Sequence, residues 1–134
     1  MNTFTDAADA TTYIGGIFEA SFADPSISAV LAKSGLVLKM QMTDPDLDLT
    51  ADLVNGVLYT SADAPSPNMT MVLDAGTANR FWQGKVSLPL AIGRGQITLS
   101  GALPKLIGLL PSAKPMQVAY TARLKADGRT DLLA

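Results

Sequence analysis

The hydrophobic period changes after Gly35, and this change most limits the folds open to the chain. Leu36, Leu38, Met40 and Met42 alternate with other residues. Four further strand-like stretches follow, most with the same alternation, at residues 47–53, 57–60, 69–73 and 96–100. A period of two puts successive side chains on opposite faces of a strand. The sequence therefore predicts five strands in an antiparallel sheet that is covered on one face and wet on the other.

Helical spacing surrounds this strand region. Apolar residues recur at helical spacing from Ala10 to Phe22, and Asp24 followed by Pro25 is a typical start for a second helix. Four more helical segments are predicted, at residues 78–83, 88–93, 102–110 and 115–125. Asp74 or Thr77 caps the first of them and Ser87 the second. With no internal repeat or domain boundary, the sequence predicts one α+β domain over residues 1–134.

The composition excludes several classes of function. The chain has no histidine and no cysteine, which removes Ser-His-Asp and Cys-His catalysis and thiolate metal sites. An enzyme of this composition would therefore have to use carboxylate, lysine or tyrosine chemistry, and we expect no metal site and no cofactor. The net charge of −2 argues against nucleic-acid binding. No apolar run approaches the roughly 18 residues of a membrane span, and the acidic N-terminus has no signal-peptide pattern, so we expect a cytoplasmic protein.

The charges are unevenly distributed along the chain. Residues 1–67 carry nine acids and two cations, whereas residues 68–134 carry three acids and eight cations. One interpretation is that both halves mix in one fold and the charges disperse. The other is a basic face, formed by the C-terminal half, that meets an anionic head group or a partner. The acidic total predicts at most weak contact with a membrane surface.

Two stretches resemble ligand-binding loops, one for a dinucleotide and one for calcium, but neither matches the complete motif. A Gly-x-Gly pair at 93–95 precedes a strand instead of following one, and Thr98 stands where a dinucleotide loop has its third glycine. The carboxylates of residues 44–48 follow the first positions of a calcium loop. However, Leu49 and Asn55 occupy its glycine and glutamate positions. Neither stretch predicts a phosphate or calcium site.

The chain has more apolar residues than are needed to pack one face of each helix and strand into a core. Segment 102–110 is apolar on more than one face of a helix. Met40, Met42, Met69 and Met71 fall on the core side of two strands, and methionine adapts to irregular apolar sites. These residues form either an ordinary core or a cavity for an apolar ligand.

The second half of the chain has a distinctive order of features. They are the cap at Asp74 or Thr77, the pair Phe81-Trp82, Gly84-Lys85, the apolar helix at 88–93, the strand from Gly95 to Ser100, Gly101, and the helix from Leu103 to Leu110. Together with the preceding helices and strands, this order resembles that of the sterol carrier protein 2 (SCP2) family over nearly the whole chain. The resemblance is a pattern of elements and not a catalytic signature.

The resemblance implies a five-stranded, mostly antiparallel sheet with helices packed on one face. It also implies non-catalytic binding or transfer of a sterol, fatty acid, fatty acyl-CoA or phospholipid in an apolar cavity. On a helical wheel, we expect one stripe of segment 102–110 to face the cavity and Leu109 to lie toward its flank. The implied cavity wall is Met71, Phe81, Trp82, Leu90, Ile97, Leu99, Leu103, Leu106, Ile107 and Leu110.

Two alternatives to the carrier function remain open. The chain has no peroxisomal signal, which departs from many members of the family. An SCP2-like scaffold would bind protein partners or shield a hydrophobic intermediate for other enzymes. A small enzyme would use the apolar pocket together with a carboxylate base.

Overall fold

The computed structural model describes residues 4–134 and contains one five-stranded sheet. Its strands are β1 (Val37–Thr43), β2 (Leu47–Asp52), β3 (Val57–Tyr59), β4 (Met69–Asp74) and β5 (Ile97–Gly101). They are arranged in the order β3-β2-β1-β4-β5. Three neighbouring pairs are antiparallel, and β1 and β4 are parallel. The predicted five-stranded, mostly antiparallel sheet of an α+β fold is confirmed.

Helices precede the sheet, interrupt it and follow it. The first runs as α1 (Ala7–Ala10), a π-helical turn (Thr11–Gly15) and α2 (Gly16–Ala23). The others are α3 (Pro25–Lys33), α4 (Ala75–Phe81), α5 (Leu88–Gly93), α6 (Leu103–Leu109), a 3-10 turn (Leu110–Ser112) and α7 (Ala113–Ala126).

Two of the predicted N-cap residues make capping hydrogen bonds with their side chains, and a third does not. Asp24 accepts hydrogen bonds from two backbone N–H groups of α3, and Asp74 accepts one from the N–H of Thr77. Ser87 stands at the N-cap position of α5 but makes no capping hydrogen bond with its side chain. Pro89 occupies the second helical position and has no N–H to donate, which leaves only the N–H of Leu90 for such a bond.

The two faces of the sheet differ in polarity. On β1, Leu38, Met40 and Met42 are buried, whereas Lys39 and Gln41 between them are only partly buried. The parallel register sets the first two of these apolar residues beside the methionines of β4. The buried residues of this face pack with those of the helices in one hydrophobic core. The sheet therefore carries its apolar side chains toward the helices, as its alternation predicts.

A buried polar cluster joins α4, α7 and the C-terminal segment. Asn79 is fully buried, donates a hydrogen bond of 2.8 Å to the carbonyl of Leu132 and accepts one of 2.7 Å from the hydroxyl of Tyr120. Gln83 donates to the same carbonyl at 2.9 Å. Burial raises the pKa of Tyr120 well above its usual range. Because every member has a partner, the cluster fixes α7 against α4, and both helices contribute to the cavity described next.

Candidate functional site

An apolar cavity of about 60 Å3 lies between the inner face of the sheet and the helices. The lining draws on the sheet and on every helix from α2 to α7, and none of its side chains is charged. The thirteen residues that line it are Phe18, Leu31, Leu38, Leu53, Met71, Phe81, Trp82, Leu88, Leu106, Leu109, Leu110, Ala113 and Met116.

Three aromatic rings stand together at one side of the cavity. The ring of Trp82 meets that of Phe18 edge to face, with 5.8 Å between centroids, and that of Phe81 in the same way at 5.2 Å. The side chain of Gln117 donates a hydrogen bond of 2.8 Å to the carbonyl of Phe81, which ties the end of α4 to α7. Edge-to-face contacts hold the indole in one orientation. The single tryptophan of the chain therefore reports directly on the cavity.

The cavity is small for a lipid in this conformation. Its volume of about 60 Å3 corresponds to roughly two water molecules in the liquid. Helix α6 is held by little burial, because Leu106 is its only buried residue. Leu103 and Ile107 of the same helix are 40% and 54% exposed. An element with so little buried surface is displaced at low cost, so α6 is one element whose displacement would widen the cavity.

The structure brings five of the ten sequence-predicted wall residues together around the cavity. These are Met71, Phe81, Trp82, Leu106 and Leu110. They come from β4, the end of α4, α6 and the 3-10 turn, so the sequence prediction spans four of the elements that form the wall. That these side chains contact a ligand stays a prediction.

The other five predicted wall residues lie outside the lining of the cavity in this conformation. Ile97 is buried in the core, and Leu99 is partly buried against it. Leu90, Leu103 and Ile107 point to solvent, and Leu90 is 59% exposed.

The misplacement on α6 comes from the phase of its apolar stripe. At about 100° per residue, Leu106 and Leu109 lie roughly 60° apart on α6, and both face the cavity. Leu103 and Ile107 lie on average about 100° away from the centre of that stripe. The expectation that Leu109 falls on the flank is wrong, because it lines the cavity.

Eight lining residues were missed, although most sit on predicted apolar stripes. They belong to α2, α3, α5, α6, α7 and the first two strands of the sheet with the turn that follows. The sequence predicted which side of each element is buried. It does not distinguish a residue that borders a cavity from one in a solid core. They are Phe18, Leu31, Leu38, Leu53, Leu88, Leu109, Ala113 and Met116.

A second groove of about 160 Å3 lies between α2, α3 and α7, and Met116 lines both it and the cavity. Its polar groups already have partners within the protein. The hydroxyl of Ser21 donates to the carbonyl of Ile17 at 2.7 Å, and Arg123 donates to the carbonyl of Thr12 at 3.2 Å. The groove therefore offers a ligand little polar recognition.

Residues 4–134 contain no cluster of histidine, cysteine, aspartate or glutamate placed to bind a metal ion. In the same range, no helix combines the length and the apolar character needed to cross a bilayer.

No protein-family model and no curated protein matches the sequence, whereas solved structures do match the fold. Sterol carrier protein 2 from Yarrowia lipolytica superposes with a TM-score of 0.65 at 16% identity, covering 81% of this chain and 94% of its own. The sterol carrier protein domain 2 of Helicoverpa armigera gives 0.70 at 14% identity, covering 86% and 94%. The UbiJ-SCP2 ubiquinone synthesis protein gives 0.60 at 14% identity, covering 79% and 94%. The chain therefore has an SCP2-like fold, as the order of its elements predicted.

Proposed function

We propose that the chain is a single SCP2-like domain, residues 1–134, that binds and carries a hydrophobic ligand without changing it chemically. The observation that carries this proposal is the uncharged lining of the cavity, to which the sheet and six helices contribute. Burial of a hydrocarbon chain gains roughly 0.8 kcal/mol per CH2 group, so about ten buried carbons supply roughly 8 kcal/mol before the cost of association.

The ligand class we propose is an amphiphile or sterol whose hydrocarbon part enters the cavity. Sterols, fatty acids, fatty acyl-CoA and phospholipids all fit this description. The cavity recognises its occupant by shape, and one methylene changes the binding free energy by only about 1–3 kcal/mol, so specificity is broad. Any of these ligands requires the cavity to widen from its present volume, and a shift of α6 away from the sheet provides the room.

The lining favours a binding role over catalysis. Among residues 4–134, it contains no carboxylate, lysine or tyrosine. A small enzyme that uses this pocket with a carboxylate base would need that base within reach of the ligand. A cytoplasmic location stays a prediction.

A scaffold or accessory role is the second candidate. It is favoured by the fold similarity to a ubiquinone synthesis protein and by the small present volume of the cavity. In this role the domain shields a hydrophobic intermediate, or presents it to a partner enzyme.

Native mass spectrometry of the purified chain tests the carrier function. We expect a one-to-one adduct with a lipid, which organic extraction removes and added fatty acid restores. A chain that stays ligand-free after exposure to sterol, fatty acid, acyl-CoA and phospholipid would contradict the carrier function. Retention of a protein partner under the same conditions would then support the scaffold.

A further inference from the structure

The cavity has no partner for the polar end of an amphiphile. Among the side chains that line it, the indole N–H of Trp82 is the only conventional hydrogen-bonding group, and none is charged. Burying an ionised carboxylate without a partner is strongly unfavourable. This inference rests on the carrier function proposed above. A ligand such as a fatty acid therefore keeps its hydrocarbon part in the cavity, while its polar end reaches water through the wall.

The wall is thin at Met116 of α7. Among residues 4–134, Met116 alone belongs to the linings of both the cavity and the groove between α2, α3 and α7. The neighbouring helices divide their side chains between the two spaces. Phe18 of α2 and Leu31 of α3 line the cavity, whereas Ile17 and Ile27 of the same helices line the groove. At α7, one side chain separates the two spaces.

That side chain is suited to moving aside. Methionine is unbranched and has three rotatable bonds, so it adapts its shape to what it contacts. A change of rotamer at Met116 would join the cavity of about 60 Å3 to the groove of about 160 Å3 without displacing a helix. An exit past α6 would instead require a displacement of the backbone.

The groove suits the part of an amphiphile next to its polar end. Its floor includes the buried side chains of Tyr13, Ile17 and Tyr120, which offer apolar surface to a hydrocarbon chain. Its rim includes Ala20 and Ala119, which are small and exposed, so the groove is open to water. A chain that leaves the cavity here stays in contact with apolar surface until its polar end is solvated.

The charged side chains of the groove have opposite signs and stand at opposite ends of α2. Arg123 lies over the ring of Tyr13, before the start of α2, at 4.6 Å from the ring centroid. Asp24 follows the last residue of α2, and its carboxylate is occupied in capping α3. The groove therefore favours no single head-group charge, which agrees with a broad specificity.

We propose that the polar end of a bound fatty acid leaves the cavity past Met116 and lies in the groove between α2, α3 and α7. This deepens the carrier function, because it assigns the head-group site and the exit that the uncharged cavity requires. The same exit serves a fatty acyl-CoA, whose larger polar part stays outside the protein.

Cysteine footprinting tests the position of the exit, because the chain has no cysteine of its own. Ala119→Cys introduces a thiol at the rim of the groove, and its rate of reaction with a maleimide is measured with and without dodecanoic acid. At ten times the Kd of the acid, roughly one-tenth of the protein stays free, so the reaction should slow about tenfold.

Two further variants serve as comparisons. Val118→Cys is the matched control, because Val118 is 60% exposed on the same helix and points about 130° away from the centre of the groove-lining face. Its reaction should be unaffected by the acid. Ile107→Cys introduces a thiol on the outer side of α6, where Ile107 is 54% exposed. Protection of Ile107→Cys without protection of Ala119→Cys would place the exit at α6 and overturn the proposal.

The fluorescence of Trp82, followed in the same titrations, separates this inference from the carrier function. A saturable fluorescence change without protection of Ala119→Cys, or with equal protection of Ala119→Cys and Val118→Cys, would overturn the exit past Met116 alone. No saturable change in the unmodified chain would contradict the carrier function, and the exit with it.

Discussion

Leu106 is the single residue that best separates a ligand cavity from a packed core. Its side chain is 6% exposed and lines the cavity. In the ligand-free protein, Leu106→Ala should cost less than the ~2–5 kcal/mol typical of a core leucine, because part of the side chain already borders a void. Affinity for a slim fatty acid should fall through lost contact, while a bulkier ligand such as a sterol is tolerated or bound more tightly.

Urea denaturation of the delipidated protein measures the first effect, and competition between one slim and one bulky lipid measures the second. Leu124→Ala is the matched control, because Leu124 is fully buried on a helix and does not line the cavity. The control should lose the full core amount and keep the ligand preference. If Leu106→Ala costs as much as Leu124→Ala and leaves the preference unchanged, the cavity assignment is wrong.

At the level of single residues, the sequence did not predict that the amide side chain of Asn79 is buried. Tyr120 falls in the predicted last helix, at residues 115–125, and it is buried in the structure. Asn79 looks like an ordinary polar residue of a short helix, yet it is fully buried and bonded to two groups from distant parts of the chain and to the nearby Gln83. Its partners lie up to 53 positions away, so no local pattern could predict the cluster.

At the scale of elements, strands were easier to predict than short helices. The five predicted strands agree with the observed ones to within one residue at nearly every end, because alternation has only two phases. Helix α6 has seven residues and is apolar around most of its circumference, so several stripes fit its sequence equally well. Only the position of β5 and the 3-10 turn decides which stripe faces the cavity.

An ion pair joins α1 to the segment after α7. The guanidinium of Arg129 contacts both carboxylate oxygens of Asp9, at 2.7 and 2.9 Å, and these hydrogen bonds lower the pKa of Asp9 from 3.8 to about 2. Because the folded-state pKa is the lower one, the stabilisation is complete above about pH 4 and is lost as the pH falls toward 2. We expect a contribution of about 1 kcal/mol after solvent screening.

Equilibrium unfolding as a function of pH measures this contribution. Asp9→Asn should lower the free energy of unfolding near neutral pH and flatten its decline between about pH 4 and 2. Asp63→Asn, at an exposed loop residue, is the control and should leave the pH profile unchanged. A parallel profile for Asp9→Asn would show that the ion pair does not link these two segments energetically.

At the scale of the whole molecule, the two faces of the sheet differ in polarity and in what they border. The outer face of the sheet is largely polar, whereas its inner face and the helices enclose the cavity. The acids are concentrated in residues 1–67, so the C-terminal elements around the cavity are left with an excess of cations. The exposed cations around α5 and α6 form no salt bridge among residues 4–134, and the basic face stays a prediction.

The central claim is that a hydrocarbon ligand occupies the cavity beside Trp82. The most direct measurement is titration of the delipidated protein with a medium-chain fatty acid, followed by the fluorescence of this single tryptophan. The variant Ala113→Leu fills part of the cavity, and Ala122→Leu adds the same side chain at an exposed position of the same helix. We expect a saturable change in the unmodified chain and in Ala122→Leu, and strongly weakened binding in Ala113→Leu. No saturable change with any lipid, or equal affinity in all three proteins, would contradict the account.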